Sequence, residues 1–184
     1  METQIKTTSK LWIGNDFHKK TWRVHFRSDT FSDNPFSMEP DPDALHHKVI
    51  KEYNGYEVKI VYECGCFGYW AHRKFKSYGW TSVVVNPCDI QRVSKQKFTK
   101  TDSIDARNLS KLLKAGLLSS VTVPDIKREQ LRSLFRRRVH LVMYTRSINS
   151  RLKAQLRYYG NKIPDDLDNA AWTIAFKGWV KEII

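Results

Sequence analysis

The chain is short of the features that mark secreted and membrane proteins. Only three cysteines occur, Cys64, Cys66 and Cys88, an odd number that leaves no complete disulfide framework, so reduced thiols and a cytoplasmic setting are expected. No run approaches the roughly 18 consecutive apolar residues of a membrane helix. No N-terminal segment joins a basic start to an apolar stretch and a small-residue cleavage site, and no membrane partner is expected. Acidic residues are also scarce: 19 Asp and Glu stand against 32 Lys and Arg, a formal net charge of +13. That imbalance points to a polyanionic partner. Neither G-x-x-x-x-G-K-[ST] nor G-x-S-x-G is found, so the signatures of nucleotide hydrolysis and serine hydrolysis are missing. What is present is a foldable core, because a hydrophobic fraction of 41% with 12% aromatics in 184 residues is too apolar for a disordered basic tail. One domain with an appendage is the expected size class.

Residues 11 to 28, "LWIGNDFHKKTWRVHFRS", read as two strands joined by a polar turn near His18 to Lys20. A third short strand is expected around Thr30 and Phe31, with Pro35, Pro40 and Pro42 making most of the next stretch loop. A helix is expected after Asp41, with Leu45, Val49 and Ile50 on one face. "EVKIVYE", Glu57 to Glu63, has the β-branched density of a buried strand. A turn and a helix ending at Gly79, a strand from Thr81 to Asn86, a basic loop from Gln91 to Thr101 and a helix from about Ser103 to Ala115 follow. This order predicts an α/β mixed sheet flanked by helices.

From Asp125 to Tyr159 the pattern becomes one long helical run with Leu131, Leu134, Phe135, Val139, Val142, Ile148, Leu152, Leu156 and Tyr159 spaced by threes and fours. It carries Lys127, Arg128, Arg132, Arg136, Arg137, Arg138, Arg146, Arg151, Lys153 and Arg157 against only Asp125 and Glu129. Too few acids are present for i,i+4 pairing to satisfy them, which argues for a basic arm rather than a solvated face. The basic loop adds Arg92, Lys95, Lys97 and Lys100, and Tyr144, Tyr158, Tyr159 and Phe98 lie among these charges, placed to stack on unpaired bases. The domain division expected is 1–122, 123–160 for the arm and 161–184 as the start of a further region.

Asp102 and Asp105 open the helix of "KTDSIDARNL". Residues three apart share a helix face, and two carboxylates so placed repel each other. As a pair they read equally well as an N-cap and a first-turn acid favoured by the helix dipole. Asp16 and Glu63 change the balance, because each closes an apolar strand, and ligands collect at the carboxyl ends of strands in open α/β sheets. Taken alone, each is more often a turn or solvated residue. Converging carboxylates without a His or Cys cage suit a hard divalent cation such as Mg²⁺ or Mn²⁺. Unscreened, the same carboxylates would raise one another's pKa, so metal binding is expected to stabilise the fold. Cys64, Gly65 and Cys66 with Cys88 form no matched pair of C-x-C motifs, and zinc is not expected. His18 is expected as a solvated turn residue.

"IGNDFHKKTW", "VYECGCFG" and "KTDSIDARNLSKLL" together resemble the three acidic motifs of the DEDD transposases, the bridge-RNA-guided recombinases of bacterial insertion sequences. The resemblance runs from about Lys10 to about Gly160. It implies an RNase H-like (RuvC-like) domain followed by a helical, coiled-coil arm, with Asp16, Glu63, Asp102 and Asp105 as the DEDD set at intervals of 47, 39 and 3 residues. It further implies DNA and a structured guide RNA as partners and a serine-bearing C-terminal domain beyond residue 184, while the arm itself leads us to expect self-association. On that basis the chain is expected to be an N-terminal part. Asn15 departs from the family pattern, which has an apolar residue there, and is expected to put a polar group toward the core. Two other readings stay open: a stand-alone resolvase-like nuclease, and a non-catalytic nucleic-acid-binding module in which the acids only cap helices and turns.

Overall fold

Strand β1, Lys10–Phe17, turns back through a four-residue connection into β2, Trp22–Arg27. The connection is closed by the His18 N–H donating to the Thr21 carbonyl at 3.2 Å. The computed structural model describes residues 9–90, 102–168 and 172–183, and of residues 102–104 the backbone alone. By its internal contacts the chain divides into two units, Met1–Val123 and Pro124–Ile184.

The first unit continues with β3 (Phe36–Met38), α1 (Pro42–Glu52), β4 (Glu57–Glu63), α2 (Trp70–Ser77), β5 (Thr81–Val85) and α3 (Asp102–Ala115). The sheet order is β3-β2-β1-β4-β5. β1 lies parallel to β4, and β4 to β5, while β2 runs antiparallel to both β1 and β3. This mixed five-stranded sheet flanked by helices is the α/β arrangement that the element order predicted, and it is consistent with the RNase H-like fold that the resemblance implied.

Alternation along the strands assigns the two faces. Leu11, Ile13 and Phe17 of β1 join Val24 and Phe26 of β2 and Ile60 and Tyr62 of β4 in the larger core, together with Leu45 and Val49 of α1 and Ala71 and Phe75 of α2. The opposite face carries a smaller core in which Val61 and Val85 pack with Leu109 and Leu113 of α3. α1 starts as expected: Asp41 caps it by accepting from the Asp43 N–H, and Pro42 occupies its first turn.

Two expectations are corrected. The third strand is Phe36–Met38, not the Thr30–Phe31 stretch. The Ser28 hydroxyl accepts from the N–H groups of both Thr30 and Phe31, which folds that stretch into a turn; a single bridge from Ser32 to Arg27 follows, and a continuous strand forms only beyond Pro35. Ile50 is 49% exposed while Leu45 and Val49 are buried, because one further residue rotates about 100° off the buried stripe.

The second unit holds α4 (Ile126–Tyr158) and α5 (Ile174–Ile183). Asp125 caps α4 by accepting from the Arg128 N–H at 2.8 Å. Leu156, Ile163 and Phe176 form its core with Leu152, Leu167 and Trp172 packed around them. Earlier on α4 the apolar stripe stands in solvent: Leu131, Leu134 and Phe135 are about two-thirds exposed at 66%, 68% and 64%. Among the described residues no helix is long and apolar enough to cross a membrane.

Candidate metal centre

The centre is organised by a glycine. A Cβ on Gly14 would lie 2.1 Å from the Ala106 carbonyl oxygen and 2.6 Å from the Ser110 nitrogen, distances that no side chain tolerates. Gly14 therefore lets the backbone of α3 rest directly on β1. The contacts also give the direction of the helix. Ala106 sits over Gly14, whereas Lys114, two turns later, places its ammonium 5.0 Å from the Trp12 ring. α3 thus runs against β1, and its first turn, with Asp102 and Asp105, points toward the carboxyl end of β1. Gly116 closes the helix with a φ of +67°, a conformation that favours glycine.

Asp16 and Glu63 occupy that end. The last registered pair of β1 and β4 is Asn15 with Tyr62, so Asp16 and Glu63 follow side by side on strands about 4.8 Å apart. Asp16 has the parity of Gly14, and Glu63 that of Val61, which packs on Leu109 of α3. Both therefore belong to the α3 face. The Asp16 carboxylate is 18% exposed and lies 3.1 Å from the His18 Nε2, and across β2 its register partner is Arg23. Asp105 is half-buried on α3. The Asp102 side chain lies outside the described residues. Among the described residues no group of three or more His, Cys, Asp or Glu side chains is drawn together tightly enough to hold a metal ion. Carboxylates at two strand ends and on the first turn of a helix are oxygen-only groups, the donor type that Mg²⁺ or Mn²⁺ takes.

The residues behind this edge escaped the sequence reading. His25 is fully buried on β2, in register with Gly14, and its Nδ1 lies 2.7 Å from the Ser110 Oγ, while the Ser32 Oγ is 3.3 Å from its Nε2. Burial first, then the charges of Arg27 and Arg107, pushes its pKa down to about 4, so the ring is neutral at pH 7. The alternation Arg23, His25, Arg27 in "WRVHFR" was the available signal: a polar residue at every second position of an otherwise apolar strand marks a polar face under cover. The partner that buries His25 is 85 positions away.

Of the cations predicted for nucleic acid, Arg92, Lys95, Lys97 and Lys100 lie outside the described residues. Arg132, Arg136, Arg137, Arg138, Arg146 and Arg151 are exposed along α4. Lys153 is turned inward instead: its ammonium donates to the Leu167 carbonyl and to Asp168 and stands 5.0 Å from the Phe176 ring. Arg157 is 54% exposed and is held by the same Asp168. Cys64, Cys66 and Cys88 are free thiols, and burial raises the pKa of the Cys64 thiol.

Comparison with known proteins finds relatives of the chain. A family model described as a transposase, of the DEDD type typified by IS110, matches residues 13–161. The chain is 34% identical over 142 residues to a putative transposase, y4qE, of Sinorhizobium fredii (strain NBRC 101917 / NGR234), a match covering 76% of this chain and 35% of that protein. It is 28% identical over 113 residues to the transposase for insertion sequence element IS1533 of Leptospira borgpetersenii, covering 58% of this chain and 31% of that one. The chain thus spans about a third of the length of these curated relatives. Matched by the family model over most of its length, the chain belongs to the IS110-type DEDD transposase family.

Proposed function

We propose that the chain is the metal- and nucleic-acid-binding part of an insertion-sequence transposase, acting in the cytoplasm on DNA with a structured guide RNA. Asp16, Glu63, Asp102 and Asp105 are its divalent-metal ligands. The observation that carries this reading is the adjacency of Asp16 and Glu63 on the face that α3 covers, with the first turn of α3 directed at them. A pair of Mg²⁺ ions held there would supply Lewis-acid stabilisation to the attacking and leaving oxygens of a phosphodiester. The protein's own part is to hold four carboxylates on rigid elements, with His18 orienting Asp16, and to bind the backbone through Arg132, Arg136, Arg137, Arg138, Arg146 and Arg151 and the loop cations Arg92, Lys95, Lys97 and Lys100. The exposed apolar stripe of α4 serves self-association.

Thermal melting with and without Mg²⁺ tests the site. A ligand at a hundred times its Kd stabilises by about 2.7 kcal/mol, so the parent should melt several degrees higher in Mg²⁺. Asp16→Asn and Asp105→Asn should each lose most of that increment while remaining folded. Equal Mg²⁺ increments in parent and variants would reject the assignment.

A further inference from the structure

On the α3 face of the sheet lies a pair of arginines that the fold brings together without neutralising. Arg27 is on β2, half-buried, in register with Trp12 on the α3 face of the sheet. Arg107 is exposed on α3, three positions before Ser110. The Arg27 Nε donates to the Ser110 Oγ at 3.5 Å, and an Arg107 Nη donates to the Asn34 Oδ1 at 3.2 Å. These partners are a hydroxyl and an amide, so they orient the guanidiniums and leave both charges intact. Among the described residues neither arginine has a carboxylate partner. The nearby Asp29 pairs with Lys114, and Asp33 accepts from the Tyr53 hydroxyl. Partial burial, then the charge of Arg107, lowers the pKa of Arg27 from its usual value, yet a guanidinium stays protonated at any physiological pH. The buried neighbour between these charges, His25, is neutral and contributes no counter-charge.

Two like charges held together at an edge, one partly desolvated, are costly unless an anion bridges them, and guanidinium forks match phosphate oxygens bidentately. We propose that Arg27 and Arg107 form a clamp for one phosphodiester of the DNA strand that the carboxylates act on. The position fits such a strand. Arg27 lies four residues along β2 from the register partner of Asp16, or about 13 Å at 3.3 Å per residue, which is about four steps of a duplex strand at ~3.4 Å each. Arg107 lies two residues from Asp105 on the same helix but on the other flank of Ala106, toward Asn34, so the strand would pass from one flank of α3 to the other. This inference rests on the metal-site reading for its choice of DNA as occupant, while the pair itself is independent of the metal.

The test is DNA binding by the full chain in EDTA, followed by fluorescence anisotropy through a salt titration, with a labelled duplex and an RNA of the same sequence. Arg107→Glu should weaken DNA binding several-fold beyond the charge-matched control Lys51→Glu, an exposed change on the other face of the sheet. It should also make the salt slope shallower by about one, as loss of one phosphate contact requires. Its melting temperature should equal or exceed the parent's, because the new carboxylate stands beside Arg27. Arg27→Gln should reproduce the binding loss, which keeps the test decisive if one variant fails to fold. DNA binding by both variants at the level of Lys51→Glu, or a loss seen with RNA alone, would overturn the clamp. Because EDTA removes divalent ions, a parent chain with no Mg²⁺ response would discredit the metal site without altering this readout. Unchanged DNA binding beside a normal Mg²⁺ response would discredit the clamp alone.

Discussion

Asn15 and His25 are buried polar residues with opposite degrees of satisfaction. Asn15 is fully buried on the large-core face, between Val24 and Tyr62 in the register, and neither its amide nitrogen nor its carbonyl oxygen has a hydrogen-bond partner among the described residues. A buried unsatisfied polar group costs about 1–3 kcal/mol. Asn15→Leu, close in shape and apolar, should recover much of that and raise the melting temperature, leaving the Mg²⁺ increment unchanged because Asp16 faces the other way. A lower melting temperature would show that the amide has a role. His25 is bonded at both ring nitrogens but is held neutral, with a pKa of about 4 against 6.5 unfolded. The unfolded chain therefore takes up a proton between these values and the folded one does not. The stability that this residue preserves is complete above pH 6.5 and is lost progressively as pH falls toward 4, by up to about 3 kcal/mol. His25→Gln should flatten the acid limb of a melting-temperature profile over that window. A limb as steep as the parent's would assign the acid sensitivity to other groups.

At the scale of elements, the contact of α3 with β1 carries the site. Gly14→Ala would drive a methyl into the Ala106 carbonyl, which is backbone and cannot rotate away. Overpacking of this kind costs about 1–3 kcal/mol, which in a domain of this size lowers the melting point by several degrees. The substitution should also reduce the Mg²⁺ increment although no carboxylate is changed, since it lifts the helix that presents Asp102 and Asp105. Calorimetric scans with and without Mg²⁺ would separate the two effects. An unchanged increment would mean that the helix start does not take part in binding metal.

For the whole molecule, the decisive contrast is between the two units. The first unit is built on a sheet with a core on each face. Among the described residues the second has its core around Leu156, Ile163 and Phe176, while Leu131, Leu134 and Phe135 remain in solvent. An apolar stripe so exposed on a 33-residue helix is expected to be covered by a second copy. Replacing Leu134 and Phe135 together by Glu should then shift the sedimenting species toward monomer with the helix content retained. A parent chain that sediments as a monomer would refute self-association through this stripe.

Local chemistry settled much of this before any tertiary contact. Runs dense in β-branched and aromatic residues marked β1, β2 and β4, the Asp41–Pro42 start marked α1, and threes-and-fours spacing marked α4, because each depends on neighbours within a few residues. Asp16, Glu63, Asp102 and Asp105 were legible as candidates for the same reason: each lies at the end of a strand or in the first turn of a helix. The tertiary structure decided what depends on distant partners. The Ser28 turn displaced the third strand to Phe36–Met38, Asp168 drew Lys153 inward, and α3 descended on Gly14, bringing Ser110 to His25 and Arg107 to the side of Arg27. Composition, helical spacing and capping are short-range and leave their mark in the chain. Which helix covers which face is set by burial between segments tens of residues apart, and that leaves no local pattern to read.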